Sequence, residues 1–454
     1  MKRVLLIWPK FRDENSEILY PPLGVLYLSS YLTENNIENE VLDCQINGDI
    51  NFIGKKVKEF SPDMVCISMM TCQLCSGIKI ANMIKRFFPS IIVCGGGPHV
   101  SSTFGELFDY VSCFDYLFYG PSEKPLLDLV NGKKPENIGN LIMLKAGEVL
   151  INRKNEDIPL DKLPFPDFGK IKLKDYKMPF INSGIFIPMI TSTGCPYGCK
   201  MCSVKICFGD RVKYRSANCV VDEIRLNRKK FSVEYISFFD SAFTMNRKHA
   251  LAVCDAIKES GLNVKWRCTT RVDKVDAELL HRMKHAGCDM ISFGIESGNQ
   301  NTLNYLSKRI TLDMIRKAVE LCQKSKIRVQ GFFLFGFPDE NIKESKNTIR
   351  FAKELDLDYV EFSKVIPFPG TELYMDCKSR GLLKKKVHRL KDSLYFTYQI
   401  NHPSIANRDL DALVKKAYSK VYLSPKFIKR NFMDAFSKKN LDKRFKLMSR
   451  FKFN

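Results

Sequence analysis

Three cysteines, Cys195, Cys199 and Cys202, stand close together in the stretch TSTGCPYGCKMCSV (Thr191–Val204). Thiolates are the protein ligands of cubane iron–sulfur clusters. A C-x3-C-x2-C loop can wrap three corners of such a cube, and Gly194, Pro196 and Gly198 suit the tight turns this requires. A four-iron cluster held by three thiolates leaves one iron open to a substrate or cofactor. A structural zinc site with Cys207 as fourth ligand is an alternative, although zinc sites more often present two C-x2-C knuckles and only one pair has that spacing here. Coincidence among the chain's 16 cysteines is a third reading.

Other residues with chemical potential fall at the ends of apolar runs: Asp240 and Ser241, Arg271, and Glu296 with Ser297. A separate stretch, IIVCGGGPHVSS (91–102), ends an apolar run in Gly95, Gly96 and Gly97. Glycines there let a backbone approach a ligand closely. The spacing does not match G-x-G-x-x-G, which argues against a nicotinamide cofactor.

The elements that must position these residues follow from periodicity. Over the first 150 residues, strands are expected at 3–9, 39–44, 63–70 and 90–97, with helices between them at 23–36 and through IKIANMIKRFF. Near-continuous apolar strands alternating with helices predict a doubly wound parallel α/β sheet, whose ligands lie at the carboxyl ends of the strands. A Pro-containing stretch at 155–176 reads as a connector. A second series follows, with strands expected at 185–192, 235–240, 264–270, 290–296, 329–337 and 359–366 and helices between them. Six such units predict a partial (β/α)6 barrel, and the tail offers no convincing further pair. Every candidate residue of the second series then lies at a strand's carboxyl end, where barrels carry function. The expected division is a Rossmann-like unit at 1–142, a linker at 143–182, the partial barrel at 183–375 and a basic helical region at 376–454.

GCPYGCKMC resembles the signature of the radical S-adenosylmethionine enzymes, and the resemblance runs from about 183 to 375. It implies that Cys195, Cys199 and Cys202 hold a [4Fe-4S] cluster whose open iron chelates S-adenosylmethionine. It also implies that Asp240, Ser241, Arg271, Glu296 and Ser297 contact that cofactor. Met201 stands where many members have an aromatic residue. CISMMT (66–71) and the glycine turn resemble the cobalamin-binding domain that precedes the cluster domain in many radical enzymes, and the LPFPDF linker is shared with them. By this resemblance Ser68, Thr71 and Gly95 to Gly97 line cobalamin. The Asp-x-His-x-x-Gly cobalt-ligating motif is missing, and His99 reads as structural. In YGPSEKPLLDLVNG (119–132), only Gly120 and Glu123 of the common Gly-Glu-Gly-Glu are kept.

The implied activity is reductive cleavage of S-adenosylmethionine to a 5′-deoxyadenosyl radical, in the service of C-methylation of an unactivated carbon of a small-molecule substrate. The implied electron donor is flavodoxin or ferredoxin. Related members act as cyclases or oxidases. An RNA-modifying, methylthiotransferase-like activity and a non-catalytic cobalamin or cluster sensor are further alternatives.

The formal net charge is +22. Residues 376–454 carry 21 Lys and Arg against 6 Asp and Glu. Such an excess can attract an anionic or carrier-bound substrate, a membrane surface or nucleic acid, or be only a solvated surface. No β-rich RNA-binding appendage is evident, which argues against nucleic acid. Cysteines lying in apolar runs read as reduced thiols. With no signal peptide or membrane span discernible, a cytoplasmic location is expected.

Overall fold

The structure is a computed structural model that describes residues 2–11, 19–109, 111–155, 157–178, 181, 184–390, 393–425 and 427. The first unit is built on strands β1 (Arg3–Trp8), β2 (Glu38–Asp43), β3 (Met64–Ser68), β4 (Ile92–Gly96) and β5 (Tyr116–Phe118), parallel in the order β2-β1-β3-β4-β5. Helices α1 (Leu23–Glu34), α2 (Ile50–Phe60), α3 (Leu74–Phe87), α4 (Pro98–Thr103) and α5 (Glu123–Val130) cover it. The apolar strands are continuous because both faces are buried. Leu5 and Ile7 join a core with α2 and α3, while Val4 and Leu6 join a separate core with α1 and α5.

This sheet does not end at residue 142. Strands β6 (Leu141–Lys145) and β7 (Glu148–Ile151) add an antiparallel hairpin to it. The two hairpin turn residues, Ala146 and Gly147, both have positive φ (52° and 87°), the conformation that two-residue hairpins demand. All four residues of β7 are exposed, so no alternation marked it as strand, and the expected linker begins inside this hairpin.

The second unit is a six-stranded parallel sheet curled into a partial barrel. Its strands are β8 (Ile185–Met189), β11 (Val233–Phe238), β12 (Lys265–Thr270), β13 (Cys288–Glu296), β14 (Arg328–Phe335) and β15 (Tyr359–Lys364), each beside its neighbour in sequence. A short antiparallel ladder, β9 (Ser192–Thr193) with β10 (Lys213–Tyr214), stands between β8 and β11. The helices are α6 (Val204–Phe208), α7 (Ala217–Phe231), α8 (Arg247–Glu259), α9 (Ala277–His285), α10 (Gln300–Tyr305), α11 (Leu312–Lys324), α12 (Ile342–Glu354) and α13 (Glu372–Ser379). Several start where a side chain caps the first turn: Ser216, Asn246, Asp276, Thr311, Asn341 and Thr371 each accept a backbone N–H. These caps fix where each strand-end loop stops.

The tail departs from an all-helical reading. Strands β16 (Leu383–Leu390) and β17 (Ser393–Ile400) pair antiparallel, with Leu383 opposite Ile400. β17, SLYFTYQI, is rich in strand-forming residues, but its partner LKKKVHRL shows no alternation, and the pairing is legible only in three dimensions. Helix α14 (Asn407–Tyr422) follows and packs on β15, where the Tyr418 and Tyr422 hydroxyls accept from the Phe362 and Val360 N–H groups. The basic helix expected at 426–439 lies outside the described residues, Phe427 excepted. Among the described residues, no helix is long and apolar enough to cross a membrane.

The connector straps the two units together. Tyr176 donates to the Asp43 carboxylate (2.6 Å), the Asp167 N–H to Ser30 Oγ (2.8 Å), and Lys170 Nζ to Asn39 O (2.9 Å). Leu26 of α1 and Phe168 of the connector are buried in the barrel's own core.

Candidate active site

The cysteine loop is closed at its base and pinned at its middle. The β9–β10 ladder brackets residues 194–212, and the Cys195 N–H donates to Gly209 O (3.2 Å). Gly194 has φ +90°, and a Cβ there would lie 2.3 Å from Arg211 O, so only glycine fits. The Cys202 N–H donates to Cys199 O (3.0 Å), a tight turn within the C-x2-C pair. Between them, the Lys200 N–H donates to Leu306 O (3.1 Å), and the Leu373 N–H to Lys200 O (2.9 Å). The ends of α10 and α13 thereby hold the loop against the barrel. Burial pushes the Cys195 thiol up, as does the neighbouring Cys199, while Arg271 and Lys308 pull it down.

Arg271 clamps this loop. Its guanidinium lies 3.7 Å from the centroid of the Tyr197 ring and 3.9 Å from Cys199 Sγ. The same group donates to Asp273 (2.8 Å) and to Lys308 O (2.6 Å). Lys308 and Tyr197 were not singled out from the sequence. Lys308 is buried, donates to Glu296 (3.1 Å) and Gly294 O (2.9 Å), and is the cation that makes a buried Glu296 tenable. Its only sequence signal is a lysine twelve residues past that glutamate, which no local pattern distinguishes. Glu296 itself sits at φ +69°, a rare conformation for glutamate that ends β13 and turns the chain across the mouth.

The remaining strand-end residues divide. Asp240 is buried and accepts from the Thr191 N–H (2.7 Å), Thr191 Oγ1 (2.5 Å) and Ser192 Oγ (2.7 Å). Burial pushes its carboxyl up and these hydrogen bonds pull it down. Asp240 thus anchors the start of the cysteine loop. Ser297 is likewise fully buried, bonded to Thr348 Oγ1 (3.2 Å) on α12 and accepting from the Asn299 N–H (3.2 Å). Ser241, half-buried, stays at the mouth.

In the first unit, Ser68 and Gly95 to Gly97 line one cavity at the carboxyl ends of β3 and β4, walled by Leu6, Val25 and Leu126. Gly97 has φ +94°, and a Cβ there would lie 2.8 Å from Met69 N and O. Thr71 is not part of this lining. Its hydroxyl is 3.1 Å from Nδ1 of His99, which is buried, so both residues brace the turn.

The helices that follow the two sites are in contact. Helix α6 follows Cys202, and α4 follows Gly97. Cys207 on α6 is buried, with Sγ 3.7 Å from Pro98 O and 3.9 Å from Ser102 Oγ. It points at the first unit, which removes it as a fourth zinc ligand. Among the described residues, no three His, Cys, Asp or Glu side chains converge as the ligands of one metal ion would.

A model of the Radical SAM superfamily matches residues 189–352, and one of the B12 binding domain matches residues 11–130. An uncharacterized methyltransferase of Pyrococcus horikoshii is 30% identical over 445 residues, 95% of each chain. The chain belongs to the B12-binding radical SAM enzymes. A cytidylyl-2-hydroxyethylphosphonate methyltransferase of Streptomyces wedmorensis is 26% identical, across 92% of this chain and 91% of that one. The radical S-adenosylmethionine methyltransferase TsrM of Kitasatospora setae, solved with cobalamin and a [4Fe-4S] cluster, shares the fold. Its TM-score is 0.74 at 18% identity, over 93% of this chain and 92% of that chain. In this radical SAM enzyme, the helix that follows the cysteine loop rests on the helix that follows the glycine turn.

Proposed function

We propose that this radical SAM enzyme binds cobalamin in its first unit and C-methylates a small-molecule substrate at the barrel mouth. The observation that carries the reading is the apposition of the cysteine loop and the glycine turn through α6 and α4. When bound, the cluster supplies one-electron cleavage of S-adenosylmethionine, and cobalamin supplies methyl transfer. Cys195, Cys199 and Cys202 hold the cluster, and Arg271 keeps their loop in one conformation. Ser241 and the Lys308–Glu296 pair offer hydrogen-bonding groups at the mouth to the amino and carboxylate groups of S-adenosylmethionine. Gly95 to Gly97 and Ser68 let the corrin edge or its tail approach the backbone of the first sheet.

Phe239, Ile366 and Phe368 are exposed large side chains just past the ends of β11 and β15, which supports a substrate with an apolar portion. The high positive charge supports reduction by an acidic carrier such as flavodoxin or ferredoxin.

The test is anaerobic reconstitution with iron, sulfide and hydroxocobalamin, then addition of S-adenosylmethionine and a low-potential reductant such as dithionite, followed by assay of 5′-deoxyadenosine and methylcobalamin. Both products are expected from the native chain, and no 5′-deoxyadenosine from Cys199→Ala. Cleavage of S-adenosylmethionine by Cys199→Ala refutes the cluster assignment. A reconstituted protein without cobalamin refutes the reading of the first unit.

A further inference from the structure

Two short helices and one glycine join the cysteine loop to the glycine turn. Cys207 of α6 rests on the Pro98 carbonyl and the Ser102 hydroxyl of α4. From a third direction comes Gly370, in the loop that follows β15. It has φ +79°, and a Cβ there would lie 2.8 Å from Ser102 O and 3.1 Å from Ile206 Cδ1. Gly370 is thus wedged between α4 and α6, with no room for a side chain. Three residues on, the Leu373 N–H holds the Lys200 carbonyl inside the cysteine loop, and Tyr374 is buried in the core of the first unit. One segment therefore touches the cysteine loop, the helix after the glycine turn and the core beneath it.

Resting on the function proposed above, we infer that Gly370, with Cys207 and Ser102, sets the separation between the cluster-bearing loop and the cobalamin-bearing turn. These are positioning residues. A Cβ at Gly370 cannot be accommodated unless α4 or α6 retreats, since Cβ atoms do not sit 2.8 Å from a carbonyl oxygen. Each unit keeps its own core and its own ligand-holding residues when that happens. What changes is the register between them, and a group transferred from one site to the other is sensitive to a displacement of about one ångström.

The experiment compares Gly370→Ala with Gly261→Ala. Gly261 has a similar backbone (φ +65°) and nothing within 4 Å of a Cβ, so it carries the conformational strain without the collision. The first readout is amide hydrogen exchange of residues 204–208 before and after hydroxocobalamin is added to the apoprotein. Slowing of this exchange is expected in the native chain and in Gly261→Ala. In Gly370→Ala the slowing is expected to vanish while hydroxocobalamin is still bound. The second readout uses reconstituted protein. Gly370→Ala should retain S-adenosylmethionine cleavage but lose on the order of tenfold in methylcobalamin formation.

Cys207→Ala removes the sulfur contact with a minimal change of volume, and should reduce the exchange effect even if Gly370→Ala does not fold. Native-like slowing in both Gly370→Ala and Cys207→Ala overturns the inference, as does equal loss in Gly261→Ala. Hydroxocobalamin binding by the native chain with no change over 204–208 overturns this inference alone. No binding at all overturns the proposed function and this inference with it.

Discussion

Glu340 offers a test of how the strand-end architecture is held. It is buried in the loop after β14, where Oε2 accepts from the Gly336 N–H (2.6 Å) and the Phe337 N–H (3.3 Å), and Oε1 accepts from Ser345 Oγ (2.9 Å). Gly336 stands at φ +88°, so this carboxyl fixes the sharp exit of β14 into the mouth. Burial dominates and lifts its pKa from the ordinary 4.5 to about 7, against the pull of the three hydrogen bonds. A carboxyl raised on folding stabilises fully below its unfolded value, and that contribution is lost as pH rises through the folded value. The rise from 4.5 to about 7, at 1.4 kcal/mol per pH unit, corresponds to about 3 kcal/mol lost between pH 4.5 and 7. Glu340→Gln keeps an oxygen for the two N–H donors and an amide for Ser345, and cannot ionise. Urea midpoints of the two proteins, followed from pH 5 to 8, should therefore diverge, with the native chain losing up to about 3 kcal/mol relative to the variant. Asp43, whose burial raises it to about 6, titrates in both proteins and cancels in the comparison. Parallel pH curves would refute the reasoning.

Arg271→Met removes two charge-assisted hydrogen bonds and the stack on Tyr197, about 3 kcal/mol together, and should speed cluster loss to a chelator by roughly a hundredfold. Arg271→Lys should restore little, because an ammonium cannot both stack and fork, and full restoration would argue against the clamp. Asp240→Ala strands three buried donors and should lower stability by about 3 kcal/mol in urea unfolding, whereas a weakened S-adenosylmethionine affinity at unchanged stability would refute the anchoring role. Lys308→Met leaves Glu296 buried without its cation and should cost about 3–5 kcal/mol, and adding Glu296→Gln should recover part of that loss. Additive losses in that double-mutant cycle would show that the pair does not act as a pair.

What the sequence determined by itself is the local chemistry and its periodic frame. The cysteine spacing, the glycine turn and the six barrel strands are each written in contiguous residues, and a parallel strand buried on both faces leaves an unbroken apolar run. β7 and β16 were not legible because one is wholly exposed and the other carries a run of lysines, so only their partners identify them. The tertiary structure alone decided how polar residues are used. Asp240 and Ser241 are adjacent in sequence, yet one is sealed under the cysteine loop and the other remains at the mouth. Cys207 lies five residues from Cys202 and still points at the other unit. Lys308 becomes the partner of Glu296 only after α10 folds back over β13. A hydrogen bond or ion pair between distant residues leaves no mark in either one's neighbours, and burial is a property of the packed chain.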